Sequence, residues 1–258
     1  IRLLRRGVEL EKIGDIVEYQ TEIQDPCDFE DEEDYSDFCI LQGIHFYYCD
    51  EGYCDEDEDT EENIVTTEKP NEVLVISAHY DHVGMKNGEV FNGADDDGSG
   101  TVALLEIAQA FQKAKNDGFG PKRSLLFIHF TAEEKNLRGS EFYVNNPIFP
   151  LEKTVSNLNA DMIGRIDNRH EFDPNYIYLI GSDRLSRELH WISEAVNSKF
   201  INLNLDYKYN DESDSNRYYY RSDHYNFASN NIPVIFYFNG THDDYHKPTD
   251  TVEKIEFD

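Results

Sequence analysis

The chain has 258 residues, enough for one large domain with a full hydrophobic core. Its 23 Lys and Arg against 53 Asp and Glu leave a formal net charge of −30, which repels nucleic acid and anionic membranes and favours cations and cationic peptides as partners. No apolar run approaches the roughly 18 residues of a membrane-crossing helix, so no membrane span is expected.

The chain opens on Ile1 with neither an initiator Met nor a signal-peptide pattern, as a trimmed, mature form would. Between Lys12 and Lys69 there is no Lys or Arg, and "DFEDEEDYSD" and "CDEDEDTEE" concentrate negative charge there. The bland reading is a solvated acidic insert at about 25–62 within a single domain spanning 1–258. A calcium site is the sharper reading, because hard cations take several carboxylate oxygens, but the spacing matches no calcium loop. All four cysteines, Cys27, Cys39, Cys49 and Cys54, fall in this segment. An even count in a short window predicts two disulfides in an oxidising compartment, with three connectivities open, and a secreted or periplasmic location. A structural zinc site competes, but its paired cysteine spacing is only half present.

From Asn71 the texture changes to apolar runs of strand length alternating with helical patterns, the signature of an α/β domain with a largely parallel sheet. Predicted strands are 72–78 ("EVLVISA"), 123–130 ("RSLLFIHF"), 154–163 ("TVSNLNADMI"), 175–181 ("NYIYLIG") and 232–238 ("IPVIFYF"). A helix over 99–115 puts Val102, Leu105, Ala108 and Phe111 on one face, with Asp97 or Ser99 available as N-cap. A second helix over 184–200 does the same with Leu185, Leu189, Ile192, Val196 and Phe200. Both faces are expected to be core.

The residues just past the strands are chemically distinctive. "AHYDH", "TAEE", "ADM" and "NGTHDDYH" come after four of the runs, and "NGADDDGSG" opens the first helix. In open α/β sheets, ligands bind beyond the carboxyl ends of the strands, so five segments carrying His and carboxylates converge on one rim. Any one of them alone reads as a satisfied strand-end His or a turn Asp. Together they form an inventory for a divalent metal, and imidazole plus carboxylate without thiolate favours zinc, then cobalt or manganese. In "HYDH", His79 is the ligand candidate and Asp81 the partner that would orient its ring. Three carboxylates in a row in "GADDDGSG" can place one between two cations, and like charges that close need a cation to be tolerated. Of two adjacent Glu past a strand end, one can hold metal while the other serves as a base.

These motifs resemble the dizinc aminopeptidases of metallopeptidase clan MH, family twenty-eight, in particular the bacterial secreted branch. The resemblance covers roughly Asn63 to Phe257 and rests on "SAHYDHVG", "NGADDDGSGTVALLE", "FTAEEKNLRGSEFYV", "NLNADMIGR", "RSDHYNFASNNIPVIFY" and "DDYHKPTDT". It implies a three-layer α/β/α fold with a central mixed, largely parallel sheet. It further implies two zinc ions per chain, one held by His79, Asp96 and Asp161 and the other by Asp96, Glu134 and His246, with Asp96 bridging. Glu133 would be the general base and Tyr245 a donor to the oxyanion, while Asp223 and His224 match a motif near the substrate side. The substrates implied are peptides with a free N-terminus. The cysteine-bearing acidic segment is not a common element of that catalytic core.

Two rivals share the fold, and the first of them shares the metal set as well. A carboxypeptidase or dipeptidase needs a cation for the substrate's terminal carboxylate, for which Arg165, Arg217 and Arg221 are available. A glutaminyl cyclase binds one zinc on the same fold. A binding protein with a decayed site would lack ligands, and none is missing here. The oligomeric state is not legible.

Overall fold

A computed structural model describes residues 68–257 and the backbone of Tyr47–Tyr48. The cysteines, the predicted disulfides and the rest of the acidic insert lie outside the described residues.

Nine strands are described: β1 (Tyr47–Tyr48), β2 (Lys69–His79), β3 (Gly84–Lys86), β4 (Glu89–Phe91), β5 (Arg123–Phe130), β6 (Thr154–Ala160), β7 (Tyr176–Ile180), β8 (Asn204–Asp206) and β9 (Val234–Phe238). Four helices accompany them: α1 (Gly100–Asn116), α2 (Arg138–Asn145), α3 (Arg187–Val196) and α4 (His224–Ser229). Seven strands form one sheet in the order β1-β5-β2-β6-β9-β7-β8, and β3 and β4 make a separate hairpin. The centre, β5-β2-β6-β9, is parallel, so four chain segments finish at the same edge. β7 then runs antiparallel to β9, and β1 antiparallel to β5, which makes the sheet mixed.

The alternation along the strands sorts the core onto two faces. On β2, Val73 and Val75 join a cluster with Tyr143 and Val144 of α2 and Phe227 and Ala228 of α4. Ile76 and Ala78 point the other way, to Leu104 and Ala108 of α1. On β5, Leu126, Ile128 and Phe130 take the first face and Leu125 and Phe127 the second. The result is the expected three-layer α/β/α arrangement. The five predicted strands are present, with β6 ending at Ala160 rather than at 163, so Asp161 stands free just past its end. The short β3, β4 and β8 are additions to the predicted set.

The helices depart from expectation in an informative way. On α1 the most deeply buried apolar side chains are Leu104 and Ala108, with Phe111 packed against them, and Val102 and Leu105 are half-buried flanks. On α3 no residue is buried, Ile192 and Val196 are 52% and 42% exposed, and Phe200, just beyond the helix, is 71% exposed. The predicted core face of 184–200 is therefore uncovered among the described residues. Periodicity marks an apolar face but not what lies over it. The helix is also shorter than predicted, ending at Val196 and passing into a wider turn over Asn197–Ile201.

Candidate active site

The rim at the carboxyl ends of the parallel strands is built from loops whose backbones are pinned by buried carboxylates. The tight turn Ala94–Ser99 between the β3–β4 hairpin and α1 buries three consecutive acids, Asp95, Asp96 and Asp97. Asp97 is a strut. Its carboxylate accepts the amides of His79 (3.1 Å), Gly100 (2.9 Å) and Met162 (3.1 Å), fastening β2, α1 and β6 together. That carboxylate, rather than Ser99, caps α1. Gly100 is required there, because a Cβ would fall 2.5 Å from Asp97 Oδ2 and 2.6 Å from the Ala160 carbonyl.

Asp95 faces the opposite way, accepting the Gly164 amide at 2.7 Å and standing 3.2 Å from His242 Nε2. Asp250, fully buried, accepts the amides of Asp95 (3.0 Å) and Asp96 (3.3 Å). The Asp96 carboxylate is thus left to the rim, held from behind on both sides. The peptide bond between Asp96 and Asp97 is cis.

The adjacent glutamates after β5 have an equally local cause. Beyond Phe130 the chain turns through Ala132, Asn136 and Leu137 with positive φ, and the amides of Glu133 (3.0 Å) and Glu134 (3.3 Å) donate to the two oxygens of Asp81. Asp81 therefore acts differently from expectation. The His79 ring bonds through Nδ1 to the Asp81 main-chain carbonyl at 3.0 Å, while the Asp81 carboxylate lies 3.6 Å away and is spent on the glutamate loop. The ring is still oriented with Nε2 toward the rim, as a metal-ligating imidazole requires.

All the ligand candidates meet. His79 Nε2 lies 3.3 Å from Asp96 Oδ1, 3.7 Å from Asp161 Oδ1 and 3.9 Å from Glu133 Oε2. His246 Nε2 lies 2.9 Å from Asp96 Oδ2 and 3.2 Å from Glu134 Oε2. Two groups have donor atoms close enough to share a cation, His79 with Asp96 and Asp161, and His82 with Asp96 and Glu134. Asp96 belongs to both. His82 is a donor that sequence reasoning missed. Its Nδ1 is 3.0 Å from Glu134 Oε1, and its signal is the second imidazole of "HYDH".

The chemistry of this donor set fits divalent cations. His79 Nε2, both His82 nitrogens, Asp96 Oδ2 and Glu134 Oε1 are buried without an aligned hydrogen-bond partner, a costly arrangement unless a cation satisfies them. The ionisation tendencies say the same. Burial opposes charge on His79, yet Glu133 and Asp161 hold its pKa well above the usual imidazole range, and the Asp96 and Glu134 carboxylates push His246 up to about 10. The carboxylates demand a nearby positive charge.

Glu133 is set apart from its neighbour. Burial, with repulsion from Asp161, Asp223 and Asp96 and against the pull of His79, raises its pKa well above the carboxylate range, whereas His246 and His82 outweigh burial and lower that of Glu134. The two neighbouring carboxyls thus differ in proton affinity, a division that adjacent glutamates permit. Tyr245 stacks on His246 with ring centroids 4.0 Å apart, and its hydroxyl accepts from Arg221 at 3.1 Å. Asp223 is fully buried behind the rim, and burial carries its pKa to about 7. His224, stacked on Phe236, is pushed down to about 3 by burial and bonds the Tyr219 carbonyl, so it is a core residue.

The rim opens into a pocket with Asp96, Glu133 and Asp161 at its floor, aromatic walls from Tyr218, Phe236 and Phe238, and Tyr245 and Arg221 alongside. A larger, open hollow beside Asp183, Arg184 and Tyr207 lies apart from these groups.

Fold and rim together define an α/β protein with paired cation-ligand clusters sharing one carboxylate at the carboxyl ends of its parallel strands. Comparison with known proteins narrows this to one family. The model of Peptidase family M28 matches residues 63–258, and the chain belongs to that family. It is 34% identical over 186 residues to leupeptin-inactivating enzyme 1 of Streptomyces exfoliatus, covering 72% of this chain and 36% of that protein. It is 34% identical over 111 residues to aminopeptidase YwaD of Bacillus subtilis, covering 41% of this chain and 22% of that one. The chain thus matches about a third or less of these relatives' lengths. Among solved structures, BSAP, a zinc aminopeptidase from Bacillus subtilis, shares the fold at a TM-score of 0.57 and 24% identity, covering 76% of this chain and 44% of that one.

Proposed function

We propose that the protein is a zinc-dependent aminopeptidase that hydrolyses the first peptide bond of substrates with a free N-terminus. The observation carrying this reading is the pair of ligand clusters joined at Asp96, with the Glu133 carboxylate 3.9 Å from His79 Nε2 and belonging to neither cluster. Two zinc ions, with cobalt or manganese as substitutes, would be held by His79, Asp96 and Asp161 and by Asp96, Glu134 and His246. His82 stands as a further donor to the second group. The donor set of imidazoles and carboxylates suits zinc, and the relatives named as aminopeptidases support the reading.

When bound, such ions acidify a water and polarise the scissile carbonyl. Glu133 takes the proton of the attacking water and delivers it to the leaving amine, a role suited to a carboxylate 3.9 Å from His79 Nε2 and outside both ligand clusters. The Tyr245 hydroxyl, kept protonated by burial and nearby carboxylates, donates to the oxygen that gains charge. Asp81 and Asp250 hold the loops that aim Glu133, Glu134 and Asp96. The acids of the floor attract the substrate's α-amine, and the aromatic walls suit an apolar first side chain. The four clustered cysteines support a secreted or periplasmic setting. No helix among the described residues is long and apolar enough to cross a membrane.

The test is hydrolysis of a panel of aminoacyl p-nitroanilides before and after chelation, with zinc added back. Activity lost with chelator and restored by zinc is expected, and N-acetylated substrates should not turn over. A protein that cleaves acetylated substrates equally well, or forms pyroglutamate from a glutaminyl peptide in preference to hydrolysis, contradicts the reading.

A further inference from the structure

We propose that Arg221 is a carboxylate hook that makes this site favour dipeptides over longer or C-terminally blocked peptides of the same sequence. The proposal rests on the aminopeptidase reading and extends it to substrate length.

The three arginines that suit a terminal carboxylate have separate fates in the structure. Arg165 is committed to Asp244 at 3.2 Å and lies 3.9 Å from Asp250. Arg217 lies over the ring of Tyr220, 4.6 Å from its centroid. Arg221 is exposed, lines the same pocket as Glu133 and Asp161, and is the one Lys or Arg among the described residues doing so. Among the described residues no carboxylate lies within ion-pairing distance of it. It donates to the Tyr245 hydroxyl, and its guanidinium sits 5.2 Å from the Tyr218 ring centroid, which leaves further N–H groups for a ligand.

Geometry fixes what that ligand would be. The Tyr245 hydroxyl is the group placed to meet the scissile carbonyl, and Arg221 is its immediate neighbour. In a dipeptide the terminal carboxylate lies about one extended residue, roughly 3.5 Å, beyond the scissile bond. A guanidinium 3.1 Å from the proposed oxyanion donor is therefore within range of that carboxylate. Its planar fork can pair with two carboxylate oxygens, whereas a longer peptide offers one neutral carbonyl at the same place. In a chain of net charge −30, an acidic substrate end gains most where a cation is not already neutralised. The substrate class is dipeptides with an apolar first residue.

The test uses the full chain loaded with zinc and compares leucyl-glycine with leucyl-glycinamide, which share the amine and the scissile bond. The wild type is expected to favour the acid roughly tenfold in kcat/KM, as a charge-assisted hydrogen-bonded pair supports. Arg221→Met should bring the ratio to about one, and Arg221→Lys, which keeps charge without the fork, should retain part of it. Calorimetry on Glu133→Gln protein should show the same gap in Kd, abolished in Glu133→Gln with Arg221→Met. A wild-type ratio near one, or a ratio that survives Arg221→Met, overturns the hook. If no free-amine substrate is hydrolysed, the aminopeptidase reading fails, and the binding comparison still decides for or against the hook.

Discussion

Two buried polar clusters in this protein are built from similar residues and differ in one respect. Beneath β7, the Asp167 carboxylate accepts from the amides of Arg169 (3.1 Å) and His170 (3.0 Å) and from the Tyr178 hydroxyl (2.7 Å). The Tyr176 hydroxyl accepts from the Asp167 amide and donates to the Asn239 carbonyl, while His170 stacks on Tyr176 and reaches Asp206 at 3.1 Å. No atom of these side chains is left buried without a partner. At the rim, by contrast, His79, His82, Asp96 and Glu134 each keep at least one buried atom unaligned with any donor or acceptor. The first cluster is complete within the protein and reads as structure. The second is left incomplete by the protein's own groups, as a cation site would be, and that incompleteness marks a candidate site better than its acidity does.

Substitutions can break or sharpen this contrast. The largest effect is expected from Glu133→Gln, which removes the proposed base and leaves the ligand clusters intact. Turnover should fall by roughly 10²–10⁴ with bound metal unchanged, read by kinetics and elemental analysis of the same sample. Glu134→Ala should lose metal as well as activity. Asp250→Ala strips the acceptor from the Asp95 and Asp96 amides without touching a ligand, so metal affinity should drop by about 10–100-fold. Unchanged affinity would place the aim of Asp96 elsewhere.

In the complete cluster, Tyr178→Phe leaves an Asp167 oxygen short of a donor in a fully buried place, at a cost of about 1–3 kcal/mol in unfolding free energy. Metal content and turnover should stay unchanged. The smallest effect belongs to Asp206. Burial opposes its charge, but the Lys208 amide, Arg169 and His170 outweigh this and hold its pKa below the usual carboxylate value. Its contribution to stability is present above the unfolded carboxylate pKa of about 3.9 and is lost as pH falls through the lower folded value. Thermal unfolding between about pH 5 and pH 2 should show Asp206→Asn less acid-sensitive than the wild type.

The parallel strands and the convergence of their ends can be read from the sequence because apolar runs and the residues just past them are local signals. His79, Asp96, Glu133, Glu134, Asp161 and His246 meet because each sits at the end of a parallel strand, on the loop that follows one, or at the opening of α1. The hidden part depends on tertiary choices. Asp81 spends its carboxylate on the Glu133 and Glu134 amides, a bond across about fifty residues of sequence that spacing cannot foresee. Asp250 is an ordinary turn aspartate until its contact with Asp95 and Asp96 is seen. His82 is masked by a stronger candidate three residues earlier in the same motif. The apolar stripe of α3 promises core, yet Ile192 is 52% exposed, because a stripe carries no information about the layer opposite.

The proposed cation site has two halves joined at Asp96. Its most direct test is the zinc bound per chain, by equilibrium dialysis and elemental analysis, in the wild type and in Asp96→Ala. About two ions are expected in the wild type, as a bridged centre requires, and loss of both in the variant. Two ions retained by Asp96→Ala, or fewer than one in the wild type at saturating zinc, would contradict it.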